Sequence, residues 1–231
     1  MSVETWAPDE YLKEFSGKQW LESVNFFESD FVNARDIMLE IQQRIKRESL
    51  LGEGGIAKVF DLGNGYCLKL MPNRENSPQR DLYKLGNTTQ QEAKFLRELN
   101  DFEYQGVRTP KVTAYYVGRK GTAIIMETMD ATNLQQALNG KEKFPENFNY
   151  EDFYGRLSEY VDQLHTKKGI AHGDLFARNV MIDRQTGRPV VIDFGRARHI
   201  DPKNVDRDPS AQEDLKLLES DIYEKLEKHF S

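Results

Sequence analysis

A single cysteine, Cys67, stands among the 231 residues, so no disulfide can form within the chain and a reducing, cytoplasmic setting is expected. Cys67 lies in the apolar run Tyr66-Cys67-Leu68, which predicts a small buried filler rather than a reactive thiol. No window approaches the roughly 20 apolar residues that span a bilayer, and no membrane span is expected. Met1 to Trp6 lacks the basic-then-apolar pattern of a signal peptide, although export as an effector without a cleavable signal stays open. Positive charge is also scarce: 32 Lys and Arg face 38 Asp and Glu, and a net charge of -6 gives no electrostatic reason to expect nucleic acid as a partner. Internal repeats and low-complexity linkers are missing.

What is present indicates a folded protein. Hydrophobic residues form 38% of the chain and charged residues 30%, with 13 Phe and 10 Tyr, which suits one domain or two small lobes around a cleft. Acidic pairs such as Glu213-Asp214 are interleaved with lysine, the pattern of a solvated helix face.

From Asp9 to Arg47, Leu12, Phe15, Trp20, Leu21, Val24, Phe27, Phe31, Ile37, Met38, Ile41 and Ile45 recur at three- and four-residue steps. This predicts an N-terminal helical extension over 1–47 whose aromatic face suits either packing or a protein partner. After Ser49 come short β-like pieces: Leu50-Leu51, Lys58 to Phe60, Tyr66 to Met71, Lys111 to Gly118 and Thr122 to Met126. A helix over Thr89–Phe102 interrupts them. Helices are predicted again at Asn133–Leu138, Tyr150–His165 and Ala211–His229, with short strands at Val180–Ile182 and Val190–Ile192. The expected class is α+β, with a small antiparallel sheet over about 48–128 and a reduced helical part over about 129–231.

Leu51-Gly52-Glu53-Gly54-Gly55-Ile56-Ala57-Lys58-Val59 lies between strand candidates, where glycines let backbone fold close to phosphates, or simply make a tight turn. Lys69 alternates onto the same strand face as Cys67, and Glu92 opens a helical stripe where it can favour the helix dipole or hold Lys69 against phosphates. The stretch His172-Gly173-Asp174-Leu175-Phe176-Ala177-Arg178-Asn179, followed across two strands by Asp193-Phe194-Gly195, is more specific. Few carboxylates together with an amide oxygen suit magnesium, which keeps phosphate oxygens and water as its other ligands.

From about Ser49 to Arg198 these motifs resemble the protein-kinase superfamily. The resemblance implies a bilobal fold, ATP and Mg2+ as cofactors, and specific roles by position. Gly52, Gly54, Gly55 and Ala57 fall in the phosphate-covering loop, with Ala57 at its third glycine, and Val59 packs on adenine. Lys69 contacts the α and β phosphates with Glu92 as its partner, and Glu127 and Met129 lie in the adenine-reading hinge Met126–Met129. Asp174 is implied as the catalytic base, Arg178 as a catalytic-loop cation, and Asn179 and Asp193 as the magnesium ligands. His165 and His172 take structural roles.

Departures from the pattern shape the expected function. Gly173 replaces an arginine that in many kinases reads a phosphorylated activation loop, so that mode of control is not expected. No Ala-Pro-Glu motif follows Gly195, and Asp214 on the last helix is placed to tether the catalytic loop. The short C-terminal part is similar to RIO and tRNA-modification-complex kinases and to truncated bacterial effector kinases. The His-Gly-Asp-Leu form also resembles aminoglycoside and choline phosphotransferases. The main expectation is an atypical serine/threonine protein kinase that acts on a protein substrate or on its own chain. A small-molecule, sugar or lipopolysaccharide kinase is the alternative, and a pseudokinase scaffold the third reading.

Overall fold

The structure, a computed structural model, describes residues 24–26, 50–53, 57–72, 79–117 and 121–231. The chain divides into two compact units. The first holds the described residues up to Ala93 together with Lys111–Thr128, and the second holds Lys94–Pro110 and Met129–Ser231.

The first unit is built on one antiparallel sheet. Its strands are β1 (Val24–Phe26), β2 (Leu50–Glu53), β3 (Lys58–Gly63), β4 (Tyr66–Pro72), β5 (Val112–Val117) and β6 (Gly121–Glu127), in the order β1-β5-β6-β4-β3-β2. The β3–β4 hairpin turns at Asn64-Gly65, where φ values of 53° and 81° match the two left-handed positions of a type I′ turn. Phe60, Leu68, Leu70 and Ile125 are buried and form its core. Helix α1 (Gln79–Glu98) starts ten residues before the expected Thr89. Gly86-Asn87 signals a break, yet the backbone stays helical across it, since one glycine costs only about 1 kcal/mol in a helix.

One expectation is corrected. Val24–Phe26 is strand, not helix, and its partners on β5 are Tyr116, Tyr115 and Ala114. Three residues of mixed polarity fit a helical stripe as well as a strand, and pairing on a sheet edge decides between them. The remainder of the expected extension lies outside the described residues.

The second unit is mainly helical. Its ordered pieces are β7 (Ala131–Asn133), α2 (Leu134–Leu138), α3 (Tyr150–Thr166), β8 (Ile170–Ala171), β9 (Val180–Asp183), β10 (Pro189–Val191) and β11 (Arg198–His199). The chain ends with α4 (Pro209–Leu217), a π-helical turn at Leu218–Tyr223 and α5 (Glu224–Phe230). Helix α3 is capped by Asn149, whose side chain accepts from the Asp152 amide, and it buries Phe153, Leu157, Tyr160, Val161 and Leu164. Helix α4 starts with Asp208 as cap and Pro209 in its first turn. The small sheets β10-β9-β7 and β11-β8 frame the loop between β8 and β9, which carries the residues of interest.

Candidate active site

Register on the first sheet places a row of side chains on one face. Gly52 stands opposite Val59, Val59 opposite Lys69, and Lys69 opposite Ile124. Directly paired residues share a face, so the expected phosphate-loop glycine, the adenine-packing valine and the lysine fall in line. Lys69 donates through Nζ to Glu92 Oε1 at 2.7 Å, with side-chain exposures of 11% and 2%. A pair of opposite charges so far from water is costly to break, because removing one partner leaves the other charge buried. Ala57 and Val59 are half-buried, while Gly54 and Gly55 lie outside the described residues.

Cys67 is buried, donates weakly to the Glu127 carbonyl at 3.5 Å, and burial pushes its thiol up to about 12, which fits the inert filler. Glu127 closes β6, with its amide donating to Lys111 O at 2.8 Å, and Met129 begins the second unit, half-buried.

In the second unit the loop after β8 is fixed by its own hydrogen bonds. Asp214, fully buried, accepts from the His172 amide at 2.7 Å, the Gly173 amide at 2.8 Å and His165 Nε2 at 3.0 Å. The tether expected of Asp214 is therefore present, and its reading as part of a solvated face is corrected. Seven residues on, about two turns of helix, Asp221 accepts from the Ala177 amide at 2.8 Å and is paired with Lys225.

His172 is buried edge-on to Phe194, with ring centroids 4.6 Å apart. Its Nε2 lies 2.9 Å from the Ile192 carbonyl and its Nδ1 accepts from the Asp174 amide at 3.2 Å, so the neutral ring carries its proton on Nε2. Burial holds its pKa below the ordinary imidazole value. This is the structural role expected of it.

These anchors present Asp174, 8% exposed, to a group of donors. Asn179 Nδ2 donates to its backbone oxygen at 2.7 Å and to Oδ2 at 2.9 Å. Arg178 Nη2 reaches Oδ1 and Oδ2 at 3.0 and 2.9 Å, and Arg196 Nη1 reaches Oδ1 at 3.2 Å. Arg196 and Asp221 escaped the sequence reading. Neither belongs to a motif, and only the fold brings them to the loop.

Asp193 holds a left-handed backbone, φ 67° and ψ 64°. Outside glycine, aspartate and asparagine are the residues that tolerate this best, and such conformations collect at functional sites. Asn179 spends its amide nitrogen on Asp174, so a cation there would meet its oxygen. One hard amide oxygen and one carboxylate fit magnesium, which binds few protein groups beside phosphate and water. Among the described residues no cluster of three or more His, Cys, Asp and Glu offers an all-protein metal cage.

Sheet, lysine–glutamate pair and tethered loop are the parts of a kinase-type fold. A family model of the protein kinase domain matches residues 45–212, most of the chain and slightly more than the stretch from Ser49 to Arg198. The chain belongs to the protein kinase domain family. It is 26% identical over 166 residues to the serine/threonine-protein kinase PknA of Nostoc sp. (strain PCC 7120), covering 68% of this chain and 28% of that protein. Among solved structures, the bifunctional kinase-methyltransferase WbdD matches with a TM-score of 0.51 and 20% identity over 74% of this chain and 42% of that chain, a likeness of fold. The chain thus spans less than a third of that curated relative and less than half of that structure.

Proposed function

We propose that the protein transfers the γ-phosphoryl group of ATP to a serine or threonine hydroxyl of a protein, its own chain included. The observation that carries this reading is Asp174, held by Asn179 and by two guanidiniums on a loop whose backbone is pinned by the buried Asp214. A loop fixed in this way keeps a carboxylate within reach of an incoming hydroxyl at little ordering cost during the reaction.

Asp174 orients the hydroxyl and takes its proton as the oxygen–phosphorus bond forms and the bond to the departing ADP oxygen breaks. Asn179 and Asp193 would hold magnesium, which when bound neutralises charge on the phosphates. Lys69, fixed by Glu92, would pair with the α and β phosphates, with Gly52, Ala57 and Val59 as the nearby described part of the nucleotide site and Glu127 and Met129 as its hinge. The 26% identity to a serine/threonine-protein kinase supports a protein acceptor.

The test is incubation of the full chain with labelled ATP, magnesium and a whole lysate. Label should enter protein, and both transfer and ATP turnover should disappear in Asp174→Ala and Asp193→Ala. Wild-type protein that neither binds nor turns over ATP with magnesium would end the proposal, and label entering only small molecules would move the acceptor to the sugar-kinase alternative.

A further inference from the structure

We propose that Arg178 and Arg196 select a protein hydroxyl flanked by acidic side chains, with Arg196 acting as a displaceable guard over Asp174. The inference rests on the reading of Asp174 as the group that receives the acceptor hydroxyl.

A carboxylate offers about four acceptor sites. Among the described residues all four are taken: Oδ1 accepts from Arg178 at 3.0 Å and Arg196 at 3.2 Å, and Oδ2 accepts from Arg178 and Asn179, each at 2.9 Å. A hydroxyl can donate to Asp174 only when one of these donors withdraws. Asn179 is buried and also bonded to the Asp174 carbonyl. Arg178 makes two contacts, lies 4.1 Å from the Phe176 ring centre, and has its own carbonyl held by Asn133 at 2.8 Å. Arg196 makes one contact, the longest of the four, and its side chain is 72% exposed. Arg196 is the donor that yields.

Arg178 and Arg196 share a single carboxylate, because among the described residues neither arginine pairs with any other acidic group. Arg196 leaving Asp174 loses its anion, and a carboxylate beside the acceptor hydroxyl restores it in the fork geometry that guanidinium favours. A basic flank would instead meet repulsion. An acidic substrate thereby does two things together: its hydroxyl takes the vacated site on Oδ1 and its anion holds the guard away.

Gly173 belongs to the same device. It has φ +74°, and a Cβ there would stand 2.5 Å from the Arg196 backbone oxygen. The residue without a side chain, where many kinases carry arginine, is what lets the Arg196 backbone press against the loop.

Peptide libraries with a fixed central serine or threonine and randomised flanks test this on the full chain, with transfer to peptide and total Mg·ATP turnover measured separately for wild type, Arg196→Gln and Arg196→Lys. Wild type should enrich Asp and Glu over Asn and Gln by about fivefold at one or more flanking positions, the size expected for an exposed ion pair. The enrichment should fall to about one in Arg196→Gln, through loss on acidic and gain on neutral peptides, and should persist in Arg196→Lys. Flat or basic selection by wild type, or acidic selection that survives Arg196→Gln, overturns the proposal while ongoing turnover leaves the kinase reading intact. Absence of any ATP turnover by wild type removes both. Transfer confined to small anionic hydroxyl compounds overturns the peptide class. Since a melting shift in Arg196→Gln could blur its result, the wild-type selection and the Arg196→Lys arm stand as independent tests.

Discussion

Replacing Asp214 by asparagine isolates what the tether under the catalytic loop contributes. In the native protein one buried oxygen, Oδ1, accepts from the Gly173 amide, and the other, Oδ2, accepts from the His172 amide and His165 Nε2. Asparagine must present its NH2 to at least one of these. The better orientation turns it toward Gly173, so that one donor is lost rather than two, the His172 amide and His165 Nε2 both keeping an oxygen acceptor. An orphaned buried amide costs about 1–3 kcal/mol, and removing the charge from the other two bonds about 1 kcal/mol more, giving roughly 2–4 kcal/mol. For a chain of this size each kcal/mol corresponds to about 2–4 °C in melting temperature, so a fall of roughly 4–16 °C is expected by calorimetry. Phosphate transfer, measured well below that transition, should drop on the order of 100-fold, because a loop displaced by about 1 Å misplaces Asp174. A variant that melts within about 1 °C of wild type and transfers phosphate at the same rate would refute the reasoning.

Glu92→Leu should cost about 3 kcal/mol by leaving the Lys69 charge opposite an apolar side chain, whereas Lys69→Met with Glu92→Leu should recover most of the stability and still lose ATP binding, checked by denaturant melts and nucleotide titration. His172 supplies a pH signature. Its folded-state pKa is depressed by burial, so as pH falls the unfolded chain takes up the proton first; stability is full above about pH 6.5 and erodes below it. Melting temperatures of wild type and His172→Gln should converge between pH 7.5 and 5.5, and parallel curves would count against that assignment. Cys67, with its thiol raised to about 12, should resist iodoacetamide at pH 8 in the native protein and react once denatured; prompt native labelling would contradict its burial.

Much of this site is legible in the sequence because its chemistry depends on residue types at short spacing. Asp174, Asn179 and Asp193 lie in two short motifs, and strand alternation is enough to put Cys67 and Lys69 on one sheet face. The unseen parts depend on long-range register. Strand β1 is three residues whose partners lie on β5, far along the chain, and nothing within Val24–Phe26 distinguishes strand from helix. Glu213-Asp214 shows the same limit. Charge interleaved with lysine looks like a solvated face, and Glu213 is indeed exposed, but the next residue turns inward and is fully buried under the loop.

The loop from His172 to Asn179 shows why carboxylates alone do not mark a catalytic group. It has no regular ladder to satisfy its backbone, so the amides of His172 and Gly173 go to Asp214, that of Asp174 to His172 Nδ1, and that of Ala177 to Asp221. Buried backbone donors need partners, and an irregular segment must take them from side chains with short, fixed reach. Asp214 spends its oxygens on two backbone amides and His165, Asp221 holds the Ala177 amide and pairs with Lys225, and the neutral ring of His172 spends both nitrogens within the protein. Asp174 differs because its donors include two partly exposed guanidiniums, groups that can exchange one anion for another. On the proposed reading, what marks Asp174 against Asp214 is the exchangeability of its partners. Asp214, equally well bonded but enclosed by backbone and a buried histidine, has nothing it could give up without opening the loop.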